Sequence, residues 1–165
     1  MKDILIINTG GTFNKVYNPI TGELDIDTKG KALKEIEHHW LSSFQTVNII
    51  GKDSLDMNDG DREKILETIT SSDVQHIIII HGTDTMDKTA DYLNSAKIEK
   101  EIVLTGSMVP YSINSTEATA NLASAYGFLH GVQENGIYIA MNGKIGRYQK
   151  IQKNKEKGFF ESIEF

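Results

Sequence analysis

The apolar positions of this chain follow two patterns that alternate from the N-terminus onward. Ile4-Leu5-Ile6-Ile7, Ile77-Ile78-Ile79-Ile80, Ile102-Val103-Leu104 and Ile137-Tyr138-Ile139-Ala140-Met141 are short, largely β-branched runs with no polar residue interposed. Val47-Asn48-Ile49-Ile50 is a weaker run of the same kind. Such runs fit strands covered on both faces, as in a parallel sheet. Between them the apolar residues take helical spacing. Leu33, Ile36, Trp40, Leu41 and Phe44 form one set. Ile65, Leu66 and Ile69 form the next, behind Asp59 as N-cap and with Asp61 and Glu63 near the positive helix end. A third helix is expected over 85–97, on Met86, Ala90, Leu93 and Ala96. A fourth, rich in alanine, is expected over 115–130 with Gly131 as its stop. Strand–helix alternation five times over predicts an α/β fold: a three-layer, doubly wound, mostly parallel sheet with helices on both faces, in a single domain. Ligands of such sheets bind outside the carboxyl ends of the strands, so the loops there are the place for chemistry.

Those loops share a composition. The first strand runs into Thr9-Gly10-Gly11-Thr12, the second into Lys52-Asp53-Ser54-Leu55-Asp56-Met57-Asn58-Asp59. The third leads to His81-Gly82-Thr83-Asp84-Thr85 and the fourth to Thr105-Gly106-Ser107-Met108. Glycine lets a backbone approach a ligand and present its N–H groups. A threonine hydroxyl can attack a carbonyl when a base is near. Asp84 offers a carboxylate to an ammonium or to a lysine. Taken singly, each loop also reads as a tight turn with a helix cap. His81, closing a buried strand, reads as a hydrogen-bonded structural histidine.

Composition narrows the chemistry. The chain of 165 residues has a net charge of −6, which disfavours nucleic acid as a partner. It has no cysteine, which excludes disulfides, thiolate zinc sites and cysteine nucleophiles. The five histidines form no metal-binding pattern, and His38-His39 has no spaced partner. Neither a P-loop nor a dinucleotide fingerprint is present, so no cofactor is expected. No apolar run reaches the roughly 18 residues of a membrane span. Met1-Lys2-Asp3 before a short apolar run is unlike a signal peptide, and a cytoplasmic protein is expected. The lysine-rich segment Lys150–Lys157, flanked by glutamates, reads as a solvated surface.

Ile7-Asn8-Thr9-Gly10-Gly11-Thr12 and Ile80-His81-Gly82-Thr83-Asp84-Thr85-Met86 closely resemble the two signature motifs of the bacterial-type L-asparaginase/glutaminase family. Ser54-Leu55-Asp56-Met57 between them resembles that family's Ser-x-Asp-Met substrate loop. Thr105-Gly106-Ser107-Met108-Val109-Pro110 is similar to its Gly-Ala-Met-Arg-Pro loop, and Asn121-Leu122 and Met141-Asn142 match later positions. The resemblance spans nearly the whole chain. It implies that Thr12 is the nucleophile, attacking a side-chain amide carbon to form an acyl-enzyme that water hydrolyses. It implies that Thr83 and Asp84 form a triad with a lysine. Gly11, Ser54, Leu55, Gly82, Thr83, Asp84 and Ser107 would contact substrate, with Ser54 on the α-carboxylate and Asp84 on the α-ammonium. Glycine N–H groups and the Thr83 region would stabilise the oxyanion.

The chain departs from the family pattern in places. The family's lysine follows a Gly-Arg pair; after Gly146-Arg147 the strict offset lands on Ile151, so Lys153 is the preferred match and Lys150 the fallback. The family's loop tyrosine has only Tyr17 as counterpart, in the 14–30 loop, where mobility is expected. Leu55 replaces a common glutamine and Val109 the usual arginine. The family has two domains; residues 1–165 correspond to its N-terminal domain, and no C-terminal domain is expected. The leading expectation is an amidohydrolase acting on asparagine or a related small amide. The alternatives are a non-catalytic module that binds a small amino acid and a generic α/β domain with nucleotide affinity. A homo-oligomer is expected, completing the pocket from a second copy.

Overall fold

The structure, a computed structural model, describes residues 1–164. The strands and helices, in chain order, are β1 (Ile4–Gly10), β2 (Lys15–Tyr17), β3 (Leu24–Ile26), α1 (Lys31–Trp40), β4 (Gln45–Lys52), α2 (Asp59–Thr70), β5 (His76–Ile80), α3 (Met86–Ser95), β6 (Glu101–Thr105), α4 (Ser115–Gly131), β7 (Gly136–Met141), β8 (Lys144–Arg147), β9 (Ile151–Asn154) and β10 (Phe159–Ser162). Six strands form one sheet in the order β4-β1-β5-β6-β7-β8, parallel except for β8. Two small antiparallel hairpins, β2–β3 and β9–β10, stand beside it.

The unbroken isoleucine runs are explained by what covers them. Alternate residues of each strand face opposite layers. Leu5, Ile7, Ile77, Ile79, Ile102 and Leu104 pack with Ile65 and Ile69 of α2 and with Met86, Ala90 and Leu93 of α3. Ile4, Ile6, Ile78, Ile80 and Val103 pack with Leu33 and Ile36 of α1 and Leu122, Ala125 and Leu129 of α4. Both faces are therefore buried, and the expected three-layer α/β fold is observed. The weaker fifth run is β4, an edge strand with a half-exposed face. Among the described residues no helix is long and apolar enough to cross a membrane.

Two features of topology position the loops. The chain steps from β1 to β4 on one side and then crosses to β5 on the other, so the strand order reverses between β1 and β5. That is where doubly wound sheets bind ligands. Next, α3 and α4 join successive strand pairs in the same direction, yet pack on opposite faces. The β6–α4–β7 connection thus has the reverse hand to its neighbours, an uncommon arrangement. Residues 106–114 consequently pass over the carboxyl edge of the sheet, bringing Tyr111 against Phe13 with ring centroids 6.4 Å apart.

Two of the local expectations need correction. Asn58, not Asp59, caps α2: its side chain accepts from Asp61 N–H while the Asp61 carboxylate accepts from Asn58 N–H. This capping box satisfies two end donors at once. Leu41 takes a left-handed φ of 52° and ends α1, leaving Phe44 outside the helix to stack edge-on against Trp40. The 14–30 segment contains the β2–β3 hairpin, with Lys15 opposite Ile26 and Tyr17 opposite Leu24. The lysine-rich segment is largely solvated, as expected, but it also forms β9 and the turn to β10, with Ile151 within it and Phe160 beyond it buried in the core.

Candidate active site

The loops after β1, β4 and β5 meet at the reversal point. Gly11 has φ 72° and ψ −178°, a backbone state open essentially to glycine alone. A Cβ there would lie 2.5 Å from Gly82 N and 2.6 Å from Gly82 Cα, so the two loops touch backbone to backbone. Gly11 N–H also donates to Lys52 O at 2.9 Å. Thr12 follows, opening a single 3-10 turn, Thr12–Asn14. The turn is held from below by amides. Asn14 Nδ2 donates to Asn8 Oδ1 (2.8 Å) and Gly10 O (2.6 Å), and Asn8 Nδ2 donates back to Asn14 Oδ1 (2.9 Å) and to Asn48 Oδ1 (2.9 Å). Asn8 and Asn14 are buried.

Ser54 is buried, and its hydroxyl works inward. Its Oγ accepts from the N–H groups of Asp84 (3.2 Å) and Thr85 (3.3 Å), while Thr85 Oγ1 donates to Ser54 O at 2.8 Å. The 54–56 turn is thereby locked to the start of α3, with the Ser54 hydroxyl proton left to give. Leu55 points away from this lock and is 69% exposed. Upstream, β4 gains two residues over β1: Asn8 pairs Asn48, but Gly10 pairs Lys52. The extra length is absorbed at Ile50 and Gly51, with φ 67° and 72°. A β-branched residue in that region is a true strain, and it sits beside the site.

Thr83, Asp84 and Lys153 come together. Lys153 Nζ donates to Thr83 Oγ1 at 2.9 Å and to Asp84 Oδ1 at 2.7 Å. The lysine side chain is 13% exposed and the aspartate 35%. The ammonium polarises Thr83 Oγ1 by donation and leaves the hydroxyl's own proton free, with Asp84 balancing the charge. Such a set can shuttle a proton to and from a bound group. Lys150 lies in a different place, at the end of a 3-10 turn, where its carbonyl accepts from Ile163 N–H.

His81 supports this loop from within the core. Its Nδ1 lies 2.7 Å from Gly82 O and its Nε2 2.7 Å from Thr89 Oγ1, which in turn accepts from Arg62 Nε at 3.2 Å. The Gly82 carbonyl requires a proton on Nδ1, and in the neutral ring Nε2 accepts from Thr89 Oγ1. Burial holds the imidazole down to about pKa 4, against a smaller upward pull from the Gly82 carbonyl. His81 is thus the hydrogen-bonded structural histidine that its place at a strand end suggests.

The remaining expected residues are more scattered. Ser107 is buried, and its hydroxyl donates to Val109 O at 2.7 Å. Tyr17 stands on β2, 63% exposed, and among the described residues no hydrogen bond joins it to Thr12. Several supports are not evident from sequence motifs: the Asn8–Asn14 amide pair, the Lys15–Asp53 ion pair at 2.8 Å and the Glu117 carboxylate. Glu117 accepts from Met108 N–H (2.9 Å) and Val109 N–H (3.0 Å), while Asn121 Nδ2 donates to Gly106 O (2.9 Å). A cavity of about 410 Å³ lies behind the Thr12 turn, walled by Phe13, Asp27, Lys31, Glu35 and Tyr111.

Comparison with known proteins adds a lineage to this geometry. The family model described as asparaginase, N-terminal, matches residues 3–165. A probable periplasmic L-asparaginase of Haemophilus influenzae is 31% identical over 158 residues, covering 88% of this chain and 44% of that protein. L-asparaginase 1 of Escherichia coli is 27% identical over 168 residues, covering 96% of this chain and 49% of its own length. The thermostable L-asparaginase from Thermococcus kodakarensis superposes with a TM-score of 0.85 at 26% identity, covering 100% of this chain and 52% of that one. The chain spans about half the length of the curated relatives it matches.

Proposed function

This chain belongs to the asparaginase family, corresponding to that family's N-terminal domain, and on that premise we propose that it is an amidohydrolase of small side-chain amides. In this reading Thr12 attacks the amide carbon of asparagine or a close analogue, and ammonia leaves from the tetrahedral adduct. Water then releases the acid from the acyl-threonine. The observation that carries the proposal is the Thr83–Asp84–Lys153 cluster at the sheet's reversal point. A lysine there with two short bonds serves no core packing, and it is the proton carrier that threonine chemistry needs. Asp84 holds the α-ammonium with its remaining carboxylate capacity. Ser54 gives its free hydroxyl proton to the α-carboxylate. Backbone N–H groups of the Gly82-Thr83 loop stabilise the developing oxyanion in this reading, commonly the largest single contribution to such catalysis.

A second reading, a module that binds a small amino acid without turning it over, is favoured by one observation: among the described residues no basic group bonds the Thr12 hydroxyl. Ammonia release with asparagine and glutamine separates the two. The amidohydrolase reading expects turnover by the wild type and a loss of at least a hundredfold in both Thr12→Ala and Thr83→Ala. Inert wild type that is nonetheless stabilised against heat by aspartate refutes it in favour of the binding module. The reading takes the protein to act as a homo-oligomer in the cytoplasm. Sedimentation as a species larger than the 18.4 kDa protomer, together with recovery in the cytosolic fraction, is the expected outcome.

A further inference from the structure

We propose that the Lys15–Asp53 ion pair is a specificity-determining tether, which fixes the distance between the turn carrying Thr12 and the turn carrying Ser54 and so selects the length of amide side chain. The proposal rests on the reading above, in which those turns grip the two ends of the substrate.

The connections of the pair are what give it this role. Lys15 directly follows the Thr12–Asn14 turn, and Asp53 directly precedes the Ser54–Asp56 turn. Lys15 Nζ meets Asp53 Oδ2 at 2.8 Å. Neither end is loose. Asp53 Oδ1 accepts from Leu55 N–H at 3.3 Å and caps its own turn. The Lys15 carbonyl accepts from Ser112 Oγ at 2.6 Å, which seats it on the 106–114 crossing. Burial would raise the Asp53 carboxyl, but the Lys15 ammonium and the Leu55 N–H outweigh it and hold the group below its usual range, so the tether is charged at neutral pH. Among the described residues the two loops are also joined by the backbone bond from Gly11 N–H to Lys52 O, ahead of both turns. Each is further held to the β5 loop, the first by the Gly11–Gly82 contact and the second through Ser54. The ion pair is the direct side-chain link between the two turns, and it fixes their spacing.

Asparagine and glutamine share their α-groups and differ by one methylene between these and the amide carbon. A pocket distinguishes one methylene by roughly 10- to 200-fold when its walls are fixed. If the carboxylate turn and the nucleophile turn can shift apart, both lengths reach Thr12 and discrimination falls. Each side chain of the pair is about a quarter exposed, so its loss costs a modest amount of stability, as expected for a part-buried pair. A tether therefore predicts a change in selectivity out of proportion to any fall in melting temperature.

The test uses Lys15→Met, Asp53→Asn and the two combined, with ammonia release measured on asparagine and glutamine. Asparagine at position 53 keeps an oxygen for Leu55 N–H and removes only the charge. The expected result is a ratio of the two kcat/KM values moved at least fivefold toward unity in each single variant, at a Tm within about 6 °C of wild type. The double variant should be no worse than either single, since both remove one interaction. A ratio within twofold of wild type in both singles overturns the tether. So does an equal loss for both amides that tracks a large fall in Tm, which would make the pair merely structural. A wild type that turns over neither amide overturns the amidohydrolase reading and the tether with it; turnover with an unmoved ratio overturns the tether alone.

Discussion

Gly11→Ala is the sharpest perturbation of the loop junction, because its cost divides into two parts that a control can separate. The first part is backbone conformation. At φ 72° and ψ −178° an alanine is strained by about 1–3 kcal/mol. The second part is contact. The new methyl would lie 2.5 Å from Gly82 N and 2.6 Å from Gly82 Cα, against backbone that cannot rotate away. Forcing a methyl into packed surroundings costs a further ~1–3 kcal/mol. The sum is about 2–6 kcal/mol, which for a chain of 165 residues is a fall in Tm of about 6–17 °C. Gly143 supplies the control: its φ is 74°, yet a Cβ there would meet nothing within 4 Å. Gly143→Ala should carry the conformational part alone, about 1–2 kcal/mol and roughly 3–5 °C. Thermal unfolding of both variants by circular dichroism, with urea melts to confirm unchanged m-values, measures the difference. Equal losses in the two would refute the claim that the β1 and β5 loops are in backbone contact. Activity gives the second readout. Gly11→Ala should displace the Thr83 loop from Thr12 and depress ammonia release at least tenfold at a temperature where it remains folded, while Gly143→Ala leaves release within twofold.

Three further outcomes are expected. Lys153→Met should lower kcat for amide hydrolysis by about 100-fold or more while costing about 1–2 kcal/mol of stability, the buried-pair penalty discounted for the part-exposed Asp84; retention of a tenth of wild-type kcat would remove the lysine from the reaction. His81 is neutral in the fold, with a pKa of about 4 against 6.5 in the open chain, so the unfolded state protonates first and stability present above pH 6.5 is lost as pH falls toward 4. Urea melts should show about 2 kcal/mol less stability at pH 5 than at pH 7 from this group, and His81→Gln should remove that increment; an identical pH slope in the variant would count against the assignment. Asn14→Asp keeps the shape but sets a carboxylate beside Asn8 Oδ1 and Gly10 O, so it should cost about 2–3 kcal/mol and reduce kcat more than it raises KM, both read from melts and initial rates; an unchanged kcat would mean that the amide pair does not position Thr12.

The layers of this protein are legible in its sequence because parallel strands covered on both faces leave an unmistakable record. Each isoleucine run marks a strand of the central sheet, and each glycine–threonine loop falls at its carboxyl edge. What escapes a linear reading are structures of three or four residues, whose periodicity is too short to register. The β7–β8 hairpin did leave a trace, since Asn142 and Gly143 both have positive φ and Asn-Gly favours such a turn. The β2–β3 hairpin left little, because its tip is polar and its strands have three residues each. Ile50 shows a deeper limit. Its residue type argues for a regular strand, yet it adopts φ 67° because β4 must take up two extra residues before the Ser54 turn. Sequence preference gives way there to the requirement that two loops arrive at one point.

Lys153 illustrates how that requirement is met at a distance. The spacing from Gly146-Arg147 makes Lys153 the preferred match and Lys150 the fallback, but charge alone does not separate them. The choice is made by apolar neighbours. Ile151 and Phe160 are both buried against the α2–α3 face of the sheet, and Phe160 N–H donates to Asn142 Oδ1 at 2.9 Å. Lys153 lies opposite Phe160 across the β9–β10 ladder, and two residues beyond Ile151 on the same strand. The hairpin is thus pinned by burial of two large side chains, each contributing about 1.5–3 kcal/mol, and the lysine is carried to Thr83 and Asp84 by the register that follows. A one-residue slip would turn Lys153 to the opposite face and leave Asp84 without its partner. Position in the site is therefore set by core packing, and the hydrogen bonds to Thr83 and Asp84 only complete it.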